Sequence, residues 1–319
     1  MPSVVIAYEG FGGIDIERQT LGQMNVDIIH SKRLDTSEAQ AAILQADALM
    51  VTIQKVPADL IARMQRCKII SRVGTGLDAI DIPAATQHGI WVTNVPDYSI
   101  DEVSTHVVAL MLSHTRRLPV LAEMIRQTGW YSAALDRPVT RLGLLTFGVI
   151  GFGRIGAAAA KKALGLGMRV VVYDPYVPHE QIQRLGGEAV SLERLLHSAD
   201  YISLHLPLTP ETAKIINHET LSLMKPTAYL INTSRGGLID EAALLEAIQS
   251  KRLAGAALDV LTVEPPAPDH PFLQESRITL TPHNAWYSEE AKQDVCRLGA
   301  EEVVRVLRGE RPRNPANAL

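Results

Sequence analysis

The sequence predicts an α/β protein of two domains, each built on a largely parallel sheet. Three observations carry the prediction. Short runs rich in β-branched residues alternate with helical patterns, the rhythm of βαβ units. A long helical stretch, Asp101 to Leu118, interrupts that rhythm once. The rhythm then resumes with six further strand-like runs, the first ending in a glycine-rich turn.

In the first unit, Val4–Tyr8, Val26–Ile29, Ala48–Ile53, Ile69–Arg72 and Trp91–Asn94 read as strands. Ser37–Gln45 and Ala58–Arg66 read as helices, with apolar positions at helical spacing. The fourth strand runs into Val73-Gly74-Thr75-Gly76-Leu77-Asp78. Such a turn can leave consecutive backbone N–H groups free for an anion such as a carboxylate. Taken alone, it also reads as a plain turn. After the long helix, Pro119 and the segment Gly129-Trp130-Tyr131 to Arg141 form a longer connection. Its aromatics suit a dimer arm or, equally, a surface excursion.

In the second unit, strands are expected at Phe147–Ile150, Arg169–Tyr173, Tyr201–Leu204, Tyr229–Asn232, Gly255–Asp259 and Ile278–Leu280. Six strands in that rhythm fit a doubly wound sheet. Glu289 to Arg308 reads as a helix of good formers, and the polar tail from Gly309, broken by Pro312 and Pro315, as extended chain.

The glycine turn has a ligand written into its spacing. The order is strand, Gly151-Phe152-Gly153-Arg154-Ile155-Gly156, an alanine-rich helix, a second strand, and Asp174. Gly151 permits the tight turn, Gly153 lets backbone approach a pyrophosphate, and Gly156 lets helix and sheet pack closely. The helix N-terminus offers N–H groups and a positive dipole end to phosphates. Asp174 suits the adenosine ribose hydroxyls and repels a 2′-phosphate, so the expected cofactor is NAD rather than NADP.

Composition narrows the classes. The chain has 319 residues, 46% of them hydrophobic, enough for two cores. A net charge of −4 and a pI near 6.2 argue against a nucleic-acid or anionic-membrane partner. No apolar run approaches a membrane span. Met1 to Tyr8 goes straight into a strand-like run without the pattern of a signal peptide. Cys67 and Cys296 fit neither a disulfide framework nor a metal-ligand spacing, which suits a reducing cytoplasm. No metal is expected. No G-x-S-x-G elbow is present, against a hydrolase of that type.

Three polar residues follow strand ends of the second unit. Arg235 follows Tyr229 to Ser234, Glu264 follows Ala257 to Val263, and His283 follows Ile278 to Pro282. Arginine can polarise a ketone and fork onto an adjacent carboxylate. Histidine can give or take the alcohol proton, and a glutamate bonded to it would fix its tautomer. Singly, each also reads as a surface charge or turn residue; together, behind a cofactor turn, they point to hydride transfer. His106 and His114 read as packed or solvent-facing on the long helix, and His205 as lining the cofactor cleft or as a cap.

These residues carry a resemblance. Arg72 to Asp78, Gly151 to Gly156, Asn232-Thr233-Ser234-Arg235-Gly236-Gly237, Ala257-Leu258-Asp259-Val260 and Thr281-Pro282-His283 together resemble the D-isomer-specific 2-hydroxyacid dehydrogenases over nearly the whole chain. Tyr173 to Tyr176 and Ala285 to Glu289 most resemble the C-terminal-binding-protein branch, the NAD-binding corepressors. The resemblance implies a Rossmann domain (101–287) inserted in a smaller, flavodoxin-like substrate domain (1–100 and 288–319). It implies Arg235, Glu264 and His283 as the catalytic set, with His283 the acid–base. Thr75, Arg154, Ile155, Asp174, Leu206, Thr233 and Asp259 would line the cofactor. Arg235 and the backbone at Val73 and Gly74 would meet the substrate carboxylate, with Arg72 and Trp286 bordering it. The expected protein is a cytoplasmic homodimer that interconverts a small 2-keto acid and its D-2-hydroxy acid. The second reading is an NAD(H)-responsive scaffold like the corepressors. Phosphoglycerate dehydrogenase is a third: those enzymes carry an arginine where this chain has Thr52, with Lys55 nearby, and many have a C-terminal regulatory domain that this sequence lacks.

Overall fold

The computed structural model describes residues 1–130 and 139–319. The connection's Tyr131 and the residues up to 138 lie outside them. The chain divides into two compact units, Met1–Ser99 with Tyr287–Leu319, and Ile100–Trp286.

The first unit runs β1 (Ser3–Ile6), α1 (Asp15–Leu21), β2 (Asp27–His30), α2 (Ser37–Gln45), β3 (Ala48–Val51), α3 (Ala58–Ile61), β4 (Ile69–Arg72), α4 (Ile82–Gln87) and β5 (Trp91–Thr93). The five strands are parallel in the order β2-β1-β3-β4-β5, the flavodoxin-like order. Local chemistry starts the helices: Thr36 accepts from Ala39 N–H at 3.2 Å, and Asp81 accepts from Ala84 N–H at 2.9 Å ahead of Pro83. α1 and α4 were absent from the sequence reading, and the helix expected over Ala58–Arg66 stops at Ile61. Beyond Ile61 the bonds tighten to three-residue spacing, Arg63 N–H to Leu60 O and Met64 N–H to Ile61 O.

The second unit runs α5 (Ile100–Thr115), α6 (Leu118–Thr128), β6 (Thr146–Ile150), α7 (Arg154–Gly165), β7 (Arg169–Tyr173), α8 (His179–Leu185), β8 (Glu188–Ala189), α9 (Leu192–Ser198), β9 (Tyr201–Leu204), α10 (His218–Ser222), β10 (Tyr229–Asn232), α11 (Glu241–Gln249), β11 (Gly255–Leu258) and β12 (Ile278–Leu280). Seven parallel strands lie in the order β12-β11-β10-β9-β6-β7-β8, one more than expected. The addition is β8, two residues on the sheet edge, too short to show a period. The expected single helix to Leu118 is two helices, because Arg117 sits at φ +58° and Pro119 begins the next turn. Gly148 in β6 has no room for a side chain: a Cβ there would lie 2.8 Å from that of Ala199. The sheet and α9 therefore meet in close contact. Ala159, Ala160 and Ala163 do the same for α7, all fully buried.

The chain closes with α12 (Glu289–Leu307), which returns to the first unit. Ser71 Oγ donates to Gly299 O at 2.9 Å, and a Cβ at 299 would press on Val73 at 3.1 Å, so glycine sets that approach too. The tail pairs with the outer edge of β5, with Ala316 N–H donating to Val92 O at 2.7 Å. Asn317 completes the edge by accepting from Val92 N–H at 2.9 Å.

Candidate active site

In a parallel sheet the carboxyl ends of the strands carry the site. At the end of β6, Gly151 adopts φ +94°, and a Cβ there would lie 2.7 Å from His205 O. A Cβ at Gly156 would lie 2.1 Å from Gly151 O, while the position facing Gly153 is open. Gly153 is the N-cap of α7 and offers no side-chain cap, leaving the helix donors for a ligand. Asp174 is tied to the turn: Oδ2 accepts from Phe152 N–H at 2.7 Å and Oδ1 from Tyr176 N–H at 2.9 Å. Arg154 is exposed and Ile155 half-buried at the start of α7. Leu206 lies against Gly151, its Cδ2 2.9 Å from where a Cβ would stand. At the end of β10, Thr233 keeps a buried hydroxyl without a protein partner. An open face over Gly153, an uncapped helix start, a fixed carboxylate and an orphaned hydroxyl fit a dinucleotide.

His205 lies beneath this turn. Its Nε2 is 2.9 Å from Ser203 Oγ, and its Nδ1 is buried without a partner. Burial pushes the imidazole down to about 4, so it is neutral near pH 7.

The chemistry-bearing residues come from the ends of the next three strands. After β12, His283 Nδ1 meets Glu264 Oε2 at 2.6 Å. Glu264 Oε1 accepts from Leu261 N–H at 2.8 Å. Burial pushes the Glu264 carboxyl up, but its bonds to His283 and Leu261, with Arg235 nearby, outweigh that and hold it below its ordinary value. Arg235, after β10, is partly buried, and its Nη1 donates to Ser234 O at 2.7 Å. Asn232 accepts from Ser234 N–H at 3.0 Å and donates to Arg235 O at 2.8 Å, which shapes the turn. A Cβ at Gly236 would strike Leu261 at 2.0 Å, so only glycine lets the Arg235 and Glu264 loops approach. Among the described residues no histidine, cysteine or carboxylate group is placed to hold a metal.

The resemblance gave Asp259 as a cofactor-lining residue; the structure gives it a second job that the residues alone did not signal. Asp259 is 2% exposed and both of its carboxylate oxygens hold protein groups. Oδ1 accepts from Thr281 Oγ1 at 2.5 Å and Asn284 N–H at 3.1 Å, and Oδ2 from Ala285 N–H at 2.9 Å. His283 N–H donates to Asp259 O at 2.8 Å. The loop that presents His283, at φ +52°, is thus pinned on both sides to one residue of the neighbouring strand end. His106 Nε2, on α5, adds a contact to Thr281 Oγ1 at 3.1 Å. Nothing in the sequence pairs positions so far apart.

In the first unit, one expectation needs correction. Val73 N–H donates to Val51 O at 2.8 Å and Gly74 N–H to Arg72 O at 3.0 Å, so neither is free for a carboxylate. Val73 still belongs to the β3–β4 ladder, which the position of the glycines did not reveal. Thr75 and Gly76 donate to no backbone carbonyl among the described residues, so the open donors begin one turn later. Asn94 donates to Thr75 O at 2.6 Å and Thr75 Oγ1 to Val95 O at 3.3 Å, which fixes this stretch. Arg72 folds over Gly74: its Nη1 donates to Val73 O at 3.0 Å and stands where a Gly74 Cβ would be. Thr52 N–H and Oγ1 both donate to Gln54 Oε1, at 2.8 and 3.1 Å. Trp286 is half-buried at the end of the second unit.

Fold and site define a Rossmann-type dinucleotide-binding unit and a flavodoxin-like one. Residues 108–285 match the family model of the NAD-binding domain of D-isomer-specific 2-hydroxyacid dehydrogenases. The chain is 40% identical over 286 residues to the D-3-phosphoglycerate dehydrogenase of Methanocaldococcus jannaschii, covering 89% of this chain and 54% of that one. It is 39% identical over 306 residues to that of a Synechocystis strain, covering 96% and 54%. The chain therefore spans about half the length of the curated relatives it matches. Among solved structures, the D-lactate dehydrogenase of Aquifex aeolicus, complexed with NAD and lactic acid, aligns with a TM-score of 0.87 at 30% identity over 97% of this chain and 96% of that one. The chain belongs to the D-isomer-specific 2-hydroxyacid dehydrogenases, and its cofactor is NAD.

Proposed function

We propose that the protein interconverts a 2-keto acid and its D-2-hydroxy acid by hydride transfer with NAD(H). The observation that carries this reading is the 2.6 Å contact of His283 with Glu264 on a loop pinned by Asp259. NAD, when bound, accepts or supplies the hydride. His283 Nε2, opposite the atom bonded to Glu264, gives the proton to the forming alkoxide in reduction and takes it in oxidation. Arg235 polarises the keto oxygen and forks onto the carboxylate, and the N–H groups of Thr75 and Gly76, in the first unit, are of the kind that takes a carboxylate. Asp174 takes the ribose hydroxyls and sets the preference for NAD. Arg72 and Trp286 border the substrate.

D-3-phosphoglycerate, itself a 2-hydroxy acid, is the candidate that the curated relatives favour. Thr52, bonded to Gln54, offers no cation to a phosphate, which favours a smaller or uncharged substrate tail. A panel of pyruvate, hydroxypyruvate, 3-phosphohydroxypyruvate and longer 2-keto acids with NADH separates the two. The highest kcat/KM on the phosphorylated acid assigns the phosphoglycerate reaction. Tight NADH binding without turnover on any acid would overturn the enzymatic reading in favour of the corepressor-like scaffold.

The working form is a homodimer. α6 has no buried residue, and it exposes Leu118, Val120 and Ile125. Trp130 follows, also exposed. Leu118 and Ile125, seven residues apart, share one face of the helix, and an exposed apolar pair of this kind suits a second copy. Sedimentation of the wild type and of an L118D/I125D variant tests it, with a shift to monomer expected. The free, buried Cys67 and Cys296 suit the cytoplasm.

A further inference from the structure

The first unit holds a second crevice, at the opposite end of its sheet from the Val73–Leu77 turn. It has a volume of about 430 Å³ and is lined by Lys68, Trp91, Val306, Arg311 and Leu319, with Glu310 at its wall. Lys68 immediately precedes β4 and Trp91 begins β5, and Trp91 N–H donates to Lys68 O at 2.9 Å. The two side chains are therefore carried by neighbouring strand starts. Arg311 lies over the indole, its Cζ 6.0 Å from the ring centroid.

The wall is fixed by the end of α12. Gly309, at φ +81°, turns the chain, and Glu310 N–H donates to Arg305 O at 2.9 Å. Arg305 then donates from Nε and Nη2 to Arg311 O, at 3.2 and 3.1 Å. The one carboxylate side chain in the lining, Glu310, is paired with Arg305 at 3.1 Å. Among the described residues neither Lys68 nor Arg311 has a carboxylate partner. Lys68 and Arg311 thus flank an aromatic and an aliphatic surface, Trp91 with Val306 and the Leu319 side chain.

We propose that this crevice is a binding site for a small organic anion with a flat apolar body, of the aromatic carboxylate class. The indole and Val306 take the flat body, and Lys68 and Arg311 take the carboxylate. The volume falls in the range of small-molecule sites. Arginine, stacked and forked at once, suits a planar carboxylate better than a spherical anion.

The test uses the full chain and 4-fluorobenzoate, followed by fluorine NMR. Saturable millimolar or tighter binding is expected. It should persist in Arg235→Gln, which removes the carboxylate site of the second unit. It should weaken at least tenfold in the double variant Lys68→Gln/Arg311→Gln and stay within a fewfold of wild type in Lys68→Arg. Both side chains are exposed, so the variants keep the fold, checked by circular dichroism. No binding to the wild type, or unchanged binding to the double variant, would overturn the site. Inorganic phosphate should compete poorly; equal competition would reduce the crevice to a charge patch and overturn the ligand class.

Discussion

Nδ1 of His283 and Oε2 of Glu264 lie 2.6 Å apart, and the other oxygen of Glu264 is held by Leu261 N–H. On the proposed function, this contact leaves Nε2 as the imidazole nitrogen that carries the proton. His283→Ala should therefore lower kcat by roughly two orders of magnitude or more. Glu264→Gln should also lower kcat, with little change in NADH affinity. Stopped-flow turnover with NADH-binding titrations checks both, and full activity in either variant would remove that residue from the proposed set.

The depressed pKa of Glu264 has a pH consequence. A carboxyl held below its ordinary value contributes as the anion above that value and is lost only as pH falls through the lowered one. Loss of Glu264's help to His283 should thus begin below the ordinary glutamate range, about 4.3. The acid limb of the rate in Glu264→Gln, compared with wild type, measures it. An inflection due to Glu264 at higher pH would contradict the assignment.

Asp259→Asn should act on the catalytic loop rather than on the cofactor. Two backbone N–H groups and a hydroxyl converge on its carboxylate, and an amide NH₂ would face one of these donors. The expected result is a tenfold or greater fall in kcat, with a loss of stability of about 1–3 kcal/mol. Denaturant unfolding and kcat together decide it; a change in NADH affinity alone would contradict the loop role.

Asp174→Ala should narrow the discrimination between NADH and NADPH, since the repulsion of a 2′-phosphate goes with the charge. The ratio of the two kcat/KM values is the measurement. An unchanged ratio would remove Asp174 from cofactor selection.

His114 predicts an acid weakness unrelated to catalysis. Its ring is tilted by 36° against Tyr229, with the centroids 4.4 Å apart, and Tyr229 in turn stacks on Tyr201. Burial, then the nearby Arg117, pushes the imidazole down to about 4 from 6.5. The unfolded chain takes up a proton that the folded one refuses, so stability is full above about 6.5 and falls as pH drops towards 4. The loss at the lower end is about 3 kcal/mol. His114→Phe keeps an aromatic ring against Tyr229 and should flatten this slope in urea unfolding at several pH values. The slope that remains is expected from His205.

Much of the fold was legible because its signals are local. Val149, Ile150, Val170, Val171 and Val172 are almost completely buried, as unbroken β-branched runs in a parallel sheet should be. The glycine turn was legible because each glycine answers a separate steric demand. Legibility failed where the determinant is distant or short. α4 hid behind Pro83, and β8 has too few residues for a pattern. Val73 was read as a turn residue because its bond to Val51 belongs to the ladder, not to the local sequence. Asp259 was read only as a cofactor-lining residue because its partners lie more than twenty residues away. Side-chain type announced the candidate chemistry; only the fold could say what holds it.

The clamp at Asp259 bears on what holds the His283 loop. Its bonds to Thr281, Asn284 and Ala285 are all made within the protein. The groups on either side of His283 are therefore positioned by the fold itself. The Thr52–Gln54 and Arg72–Gly76 stretches are far in sequence from the residues that hold His283, so substitutions there leave the Asp259 clamp with all of its partners.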